Sequence, residues 1–234
     1  MSNASRAIKD KEAADCEANN IKFIGLQVAY DGMAIVVNPE NDWAKDIKVE
    51  ELKKIWEPAA QGKILRWNQI RAEWPDKELH LFGAGTASGT YDYFTEAIMG
   101  KSGDSRGDYT ASEDDNVLVQ GIRNDPLALG FFGLAYYEEN SSILKLVPVD
   151  NGNGPVIPNM ETVISNTYAP LSRPIYIYVN NVSTHRPEVV KFVNFYLETT
   201  KEITKEVGYI PMPDDKITEQ KAIFNKFVEE NTTK

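Results

Sequence analysis

Leu79-His80-Leu81-Phe82-Gly83-Ala84-Gly85-Thr86-Ala87-Ser88-Gly89-Thr90-Tyr91-Asp92-Tyr93-Phe94-Thr95-Glu96-Ala97-Ile98-Met99 is the stretch from which the fold can be read. Its apolar opening predicts a strand, its small residues a loop, and Tyr91, Phe94 and Ile98 at helical spacing a helix. Ser88 and Thr90 are the candidate caps of the first turn. A strand that feeds such a loop into a helix leaves backbone N–H groups unpaired and aimed at one point. The helix dipole adds partial positive charge there. Such a turn suits an anion. The same small residues also suit plain packing of a strand against a helix, and the stretch alone supports both readings. Two named phosphate loops are excluded. The loop between Gly83 and Thr90 contains no Lys, as a Gly-Lys-Ser/Thr loop would require, and its glycines read G-x-G-x-x-x-G rather than G-x-G-x-x-G.

The 234 residues, 42% hydrophobic and 26% charged, have an ordinary globular composition, enough for one large or two modest domains. A net charge of −10 argues against a broad nucleic-acid surface, so no nucleic-acid partner is expected. It does not forbid an anion site, where local N–H groups and one or two Arg outweigh a distant, screened field. No apolar run approaches the length of a membrane span, and Met1 to Arg6 shows no apolar export segment. The single cysteine, Cys16, excludes an internal disulfide and reads as a helix-surface or half-buried thiol. His80 reads as a structural residue in a strand and His185 as an exposed loop residue. Neither has metal-ligand spacing around it, so no metal and no cofactor is expected.

Outward from the opening stretch, strands and helices alternate. Residues 5–19 read as a polar helix, Ile21 to Leu26 as a strand, and Val28 to Val37 as a second β run interrupted by Asp31-Gly32. Val49 to Trp56 carries Val49, Leu52, Ile55 and Trp56 on one helical face. Ala111 to Gly121 reads as a helix with Val117, Leu118 and Ile122 inward, and Leu127 to Gly133 as a buried strand. Ile175 to Val179 is the cleanest strand. Pro187 to Leu197 reads as a helix with Pro at its first position, Thr200 to Glu206 as the start of another, and 217–230 as a terminal helix. This is an α/β pattern. Two segments look like crossovers, Tyr30-Asp31-Gly32 and Pro170-Leu171-Ser172-Arg173-Pro174, which places residues 32–170 in one domain and 1–31 with 171–234 in the other.

With those features in place the chain resembles the substrate-binding proteins of phosphate ABC transporters. The resemblance runs over nearly the whole chain. It is carried by Ala4-Ser5-Arg6-Ala7-Ile8-Lys9, Val28-Ala29-Tyr30-Asp31-Gly32, Val49-Glu50-Glu51-Leu52-Lys53-Lys54-Ile55-Trp56 and Trp67-Asn68-Gln69-Ile70. Ser88-Gly89-Thr90-Tyr91-Asp92-Tyr93-Phe94, the run Asp108 to Asn116 and Ala128-Leu129-Gly130-Phe131-Phe132-Gly133 follow in order. The resemblance implies a type II periplasmic-binding-protein fold, two α/β lobes closing over one phosphate. It also implies a binding protein rather than an enzyme, an ABC permease as partner, and a place in the periplasm or on the cell surface.

It further implies that Ser88, Gly89 and Thr90 grip phosphate oxygens and that Ser5 is a ligand from the other lobe, with Arg6 beside it. Two departures matter. An Arg common four residues before the triplet is Ala84 here, and Arg106 is the candidate replacement because a guanidinium suits a dianion. An Asp common just before the triplet is Ala87 here, which puts selection of phosphate over sulfate in doubt; Asp92 is the nearest acid. The resemblance also implies that the first lobe lacks its opening strand and helix. The expectation is an exposed sheet edge that invites pairing with another chain. Alternatives are another tetrahedral oxyanion such as sulfate or arsenate, an interaction protein that has lost its ligand, and phosphoester hydrolysis with Ser88 as nucleophile. The last would need a general base that neither histidine supplies nearby in sequence.

Overall fold

A computed structural model describes residues 1–232. In chain order it places β1 (Ser2–Ala4), α1 (Asp10–Ala18), β2 (Phe23–Val37), β3 (Ile47–Lys48), α2 (Val49–Trp56), β4 (His80–Ala84) and α3 (Gly89–Met99). Then come β5 (Thr110–Ser112), α4 (Asp115–Arg123), β6 (Ala128–Gly133), α5 (Leu134–Glu139), β7 (Lys145–Leu146), β8 (Val149–Asp150) and β9 (Pro155–Val156). The chain closes with α6 (Met160–Ile164), β10 (Ser172–Asn180), α7 (Pro187–Glu206) and α8 (Asp214–Thr232). These form two compact units, Met1–Asp31 with Arg173–Lys234, and Gly32–Ser172. The chain passes between them within β2 and again at Ser172–Arg173.

In the discontinuous unit β10 lies between β1 and β2. β1 runs antiparallel to β10 with Asn3 opposite Ile177. Leu26 and Val28 of β2, Ile177 and Val179 of β10, Val193 and Leu197 of α7 and Phe224 of α8 make its core. The strand at that end of the sheet is β1, three residues long. So short an edge offers few open backbone groups, which tempers the expectation of edge pairing with another chain.

In the contiguous unit the C-terminal half of β2 pairs antiparallel with β6, β6 pairs parallel with β4, and β4 pairs parallel with β5. A separate small sheet holds β3, β8 and β9. Trp56 of α2, Phe94 of α3 and Phe131 of β6 are buried together, with Phe94 stacked on Phe131 at 3.8 Å between ring centroids. Phe131 needs Gly83 beside it, because a Cβ there would stand 2.5 Å from the ring. A parallel sheet of this kind leaves its ligand crevice outside the carboxyl ends of its strands. For β4 and β5 those ends are where α3 and α4 begin.

Several elements differ from the sequence reading. β2 is one strand through Asp31-Gly32, because each side of that pair finds partners: Tyr30 exchanges backbone hydrogen bonds with Ile210, and Met33 N–H donates to Leu171 O at 2.9 Å. α7 is one helix, since Thr200 and Thr204 continue the buried stripe of Val193 and Leu197, and Thr200 Oγ1 donates to Val28 O at 2.8 Å. α1 begins at Asp10, and residues 2–4 form a strand. Thr110–Ser112 is a strand, with Ala84 opposite Ser112, which delays α4 to Asp115. Val117 consequently faces solvent at 52% exposure, while Val119 points inward.

Candidate anion site

The turn after β4 is held by its own backbone. Gly85 N–H donates to Ser112 O at 2.9 Å, and Ser88 N–H donates to Gly85 O at 2.9 Å. Ser88 is the N-cap of α3, with extended backbone angles and its Oγ accepting Thr90 N–H at 3.1 Å. Asp92 N–H donates to Ser88 O at 3.2 Å, closing the first helical turn. Ser88 and Thr90 are half-buried and Gly89 is exposed. Among the described residues Gly89 N–H has no hydrogen-bond partner, and a Cβ built on Gly89 would meet nothing within 4 Å. The three triplet residues thus share one helix start whose open side is unobstructed at Gly89. The arrangement can present N–H and O–H donors to an oxyanion with the helix dipole behind them.

The two acids beside this turn behave differently. Asp92 Oδ1 accepts the Ser102 hydroxyl at 2.6 Å, tying α3 to the following loop. Glu113, directly after β5, places Oε1 3.0 Å from Ala87 N as acceptor of that N–H. In a helix read from Ala111 to Gly121, Glu113 has no link to this turn. What brings it here is the parallel pairing of β5 with β4, a long-range contact with no local signature.

Arg106 has a different task from the one expected. It is 2% exposed, its Nη1 donates to Ile55 O at 3.0 Å and Ile64 O at 2.9 Å, and its Nε and Nη2 bind Asp108 at 2.5 and 2.8 Å. Its own N–H donates to Trp56 O. Three faces of the guanidinium are therefore spent on holding the loop before β5 against the end of α2. The same pairing, against a small opposing cost of burial, holds the Asp108 carboxyl down at about 2.

Ser5 and Arg6 lie in the other unit, just after β1. Arg6 binds both oxygens of Glu12, at 2.7 and 2.9 Å, and Ser5 is half-buried beside a cavity of about 420 Å³ that Arg6, Glu12 and Tyr178 also line. Hydrogen bonding from Arg6 lowers the Glu12 carboxyl to about 2. His80 pairs through Nδ1 with Asp125 at 2.6 Å and through Nε2 with Glu78 at 3.1 Å, a structural position at the start of β4. Cys16 is a half-buried free thiol. Among the described residues no group of His, Cys, Asp or Glu could hold a metal ion, and no helix is long and apolar enough to cross a membrane.

Residues 1–200 match the family model described as the PBP superfamily domain. The chain belongs to that superfamily, on its PstS-like phosphate-binding branch. It is 48% identical over 227 residues to the protein SphX of Synechocystis, spanning 97% of this chain and 68% of that one. It is 34% identical over 236 residues to the phosphate-binding protein PstS of Staphylococcus saprophyticus, spanning 72% of that protein. Among solved structures, a possible phosphate binding protein from Planctomyces limnophilus shares 44% identity and superposes with a TM-score of 0.89, over 99% of this chain and 80% of that one. The PstS relatives are binding proteins, not enzymes, and the two-lobed α/β fold is theirs.

Proposed function

We propose that the chain binds inorganic phosphate at Ser88-Gly89-Thr90 and hands it to the permease of an ABC-type importer, on the periplasmic or outer face of the membrane. The observation that supports this is the Ser88-capped start of α3 at the carboxyl end of β4, in a chain of the PstS-like branch. Charge-assisted bonds from backbone N–H and hydroxyl groups supply the affinity, and the helix dipole favours the negative charge. Ser88 as a nucleophile fits less well. Its Oγ accepts Thr90 N–H, and His80 is engaged by Asp125 and Glu78.

Calorimetric titration with phosphate and with sulfate tests the reading. Ser88→Ala is expected to weaken phosphate by about tenfold to a hundredfold, roughly 1.5–3 kcal/mol for a lost hydrogen bond to a charged ligand. Ser5→Ala reads separately whether Ser5 adds to the affinity. No heat from either anion at millimolar concentration would overturn phosphate binding by this chain.

A further inference from the structure

In the unit built from Met1–Asp31 and Arg173–Lys234, α7 carries two apolar stripes where a surface helix needs one. Val193 and Leu197 are buried in the core with Phe224 of α8. Phe192, Phe195 and Ile203 stand on a second face, 48%, 57% and 46% exposed. Among the described residues no other phenylalanine is exposed. Between this second stripe and Ile175 of β10 lies an open cavity of about 320 Å³, which Val28 and Tyr209 also line. A contiguous apolar patch of this kind, on a helix already packed on its inner face, marks a contact surface. From Phe192 to Ile203 it runs about 16 Å along α7, about three helical turns.

We propose that this face seats a strand–helix segment, which the chain takes up even from a separate polypeptide. The helix lies in the groove along Phe192, Phe195 and Ile203, and the strand runs beside β1. The relatives have length for such a segment: this chain covers 80% of the solved P. limnophilus chain and 68% of SphX, while nearly all of its own residues are matched. β1 ends its sheet and is three residues long, so its outer edge guides a strand but has too few backbone groups to hold one alone. The groove supplies the apolar area, with anchors spaced as a helix lying in a groove requires. A small ligand fits this groove less well. Orienting one takes convergent polar groups, and Thr200, on the groove wall, is already spent on Val28 O.

The probe is the stretch of the P. limnophilus protein that has no counterpart here, made as a separate polypeptide and added to the full 234-residue chain. Calorimetry and light scattering are expected to show a one-to-one complex with a Kd of about 10 μM or below, the cost of ordering the segment holding the affinity down. Phe192→Glu and Phe195→Glu are each expected to weaken it at least about tenfold, with unchanged circular dichroism because both side chains are exposed. Val117→Glu, at an equally exposed apolar site in the other unit, is expected to change nothing. Joined ahead of Met1 by a flexible linker, the same stretch is expected to shield Phe192 and Phe195 from hydroxyl-radical labelling, and this arm decides if the free polypeptide is insoluble. Labelling of both phenylalanines that the joined stretch leaves unchanged overturns the proposal, as does binding that survives both Glu substitutions. Self-association of the chain that Phe195→Glu abolishes and the probe does not disturb gives the face to a second copy, and overturns it too.

Discussion

Arg106 sits at 2% exposure with its guanidinium shared between two main-chain carbonyls and Asp108. As a residue type in a Gly/Ser/Asp-rich loop it reads as a ligand or a solvated charge; its burial comes from Ile55 and Ile64, more than forty positions away. Arg106→Ala would strand those carbonyls and one carboxylate, at a cost of about 3 kcal/mol. The expected result is a lower urea midpoint; an unchanged midpoint would return Arg106 to the list of anion ligands. His80 is a second case. Burial pulls its pKa down, but hydrogen bonds with Asp125 and Glu78 outweigh this and raise it. A raised pKa means the fold favours the charged ring. That stabilisation is complete below the unfolded value of about 6.5 and is lost as pH rises through the higher folded value. Between pH 6 and 8 the unaltered chain should therefore lose more stability than His80→Asn, read from urea midpoints at each pH. The triplet itself was legible from composition and capping rules. Glu113 was not, because only strand pairing reveals it.

At the scale of elements, amphipathic pattern located α2 residue for residue, and the apolar run from Leu127 to Gly133 located β6 to within one residue. The errors fall where a local signal lost to tertiary pairing. Asp31-Gly32 reads as a break but is bridged from both sides, and Ala111-Ser112 reads as a helix start but is claimed by β4. The second of these shifts the capping residues of α4. Asp114 becomes the N-cap, accepting Asn116 N–H at 2.9 Å, and Asp115 becomes the first helical residue. Burial, reinforced by the charge of Asp114, pushes Asp115 up to about 6. Its charged form is therefore disfavoured in the fold. The penalty is complete above about pH 6 and disappears as pH falls towards the unfolded value of about 3.9. The favourable helix dipole at this position and partial solvent screening reduce it, so Asp115→Asn should stabilise the protein by about 1 kcal/mol at pH 7. Chemical denaturation at pH 7 and pH 4 checks this: the gain should vanish at the lower pH, and a gain of equal size at both would point to a cause other than titration.

On the scale of the molecule, the chain folds as two compact units, Met1–Asp31 with Arg173–Lys234 and Gly32–Ser172. The four tryptophans, Trp43, Trp56, Trp67 and Trp74, all belong to Gly32–Ser172, so their fluorescence reports that unit alone. The unit built from Met1–Asp31 and Arg173–Lys234 holds the two longest helices, α7 and α8, and no tryptophan, so its unfolding is seen by circular dichroism and not by tryptophan fluorescence. Urea unfolding followed by both signals can therefore separate the units. A ligand stabilises whatever it binds by an amount that grows with its concentration over Kd, about 2.7 kcal/mol at a hundredfold excess over Kd. If phosphate is held by Ser88, Gly89 and Thr90, saturating phosphate must move the tryptophan transition to higher urea. A tryptophan transition that phosphate leaves in place, while the circular dichroism transition moves, would assign the anion to the unit that carries Ser5 and Arg6 instead. Because α2 to α6 also contribute to the circular dichroism, only a separate, tryptophan-silent step that also moves would show that the other unit contributes binding energy. Ser88→Ala should then shrink the tryptophan shift at a fixed phosphate concentration by an amount that follows the logarithm of its loss in affinity.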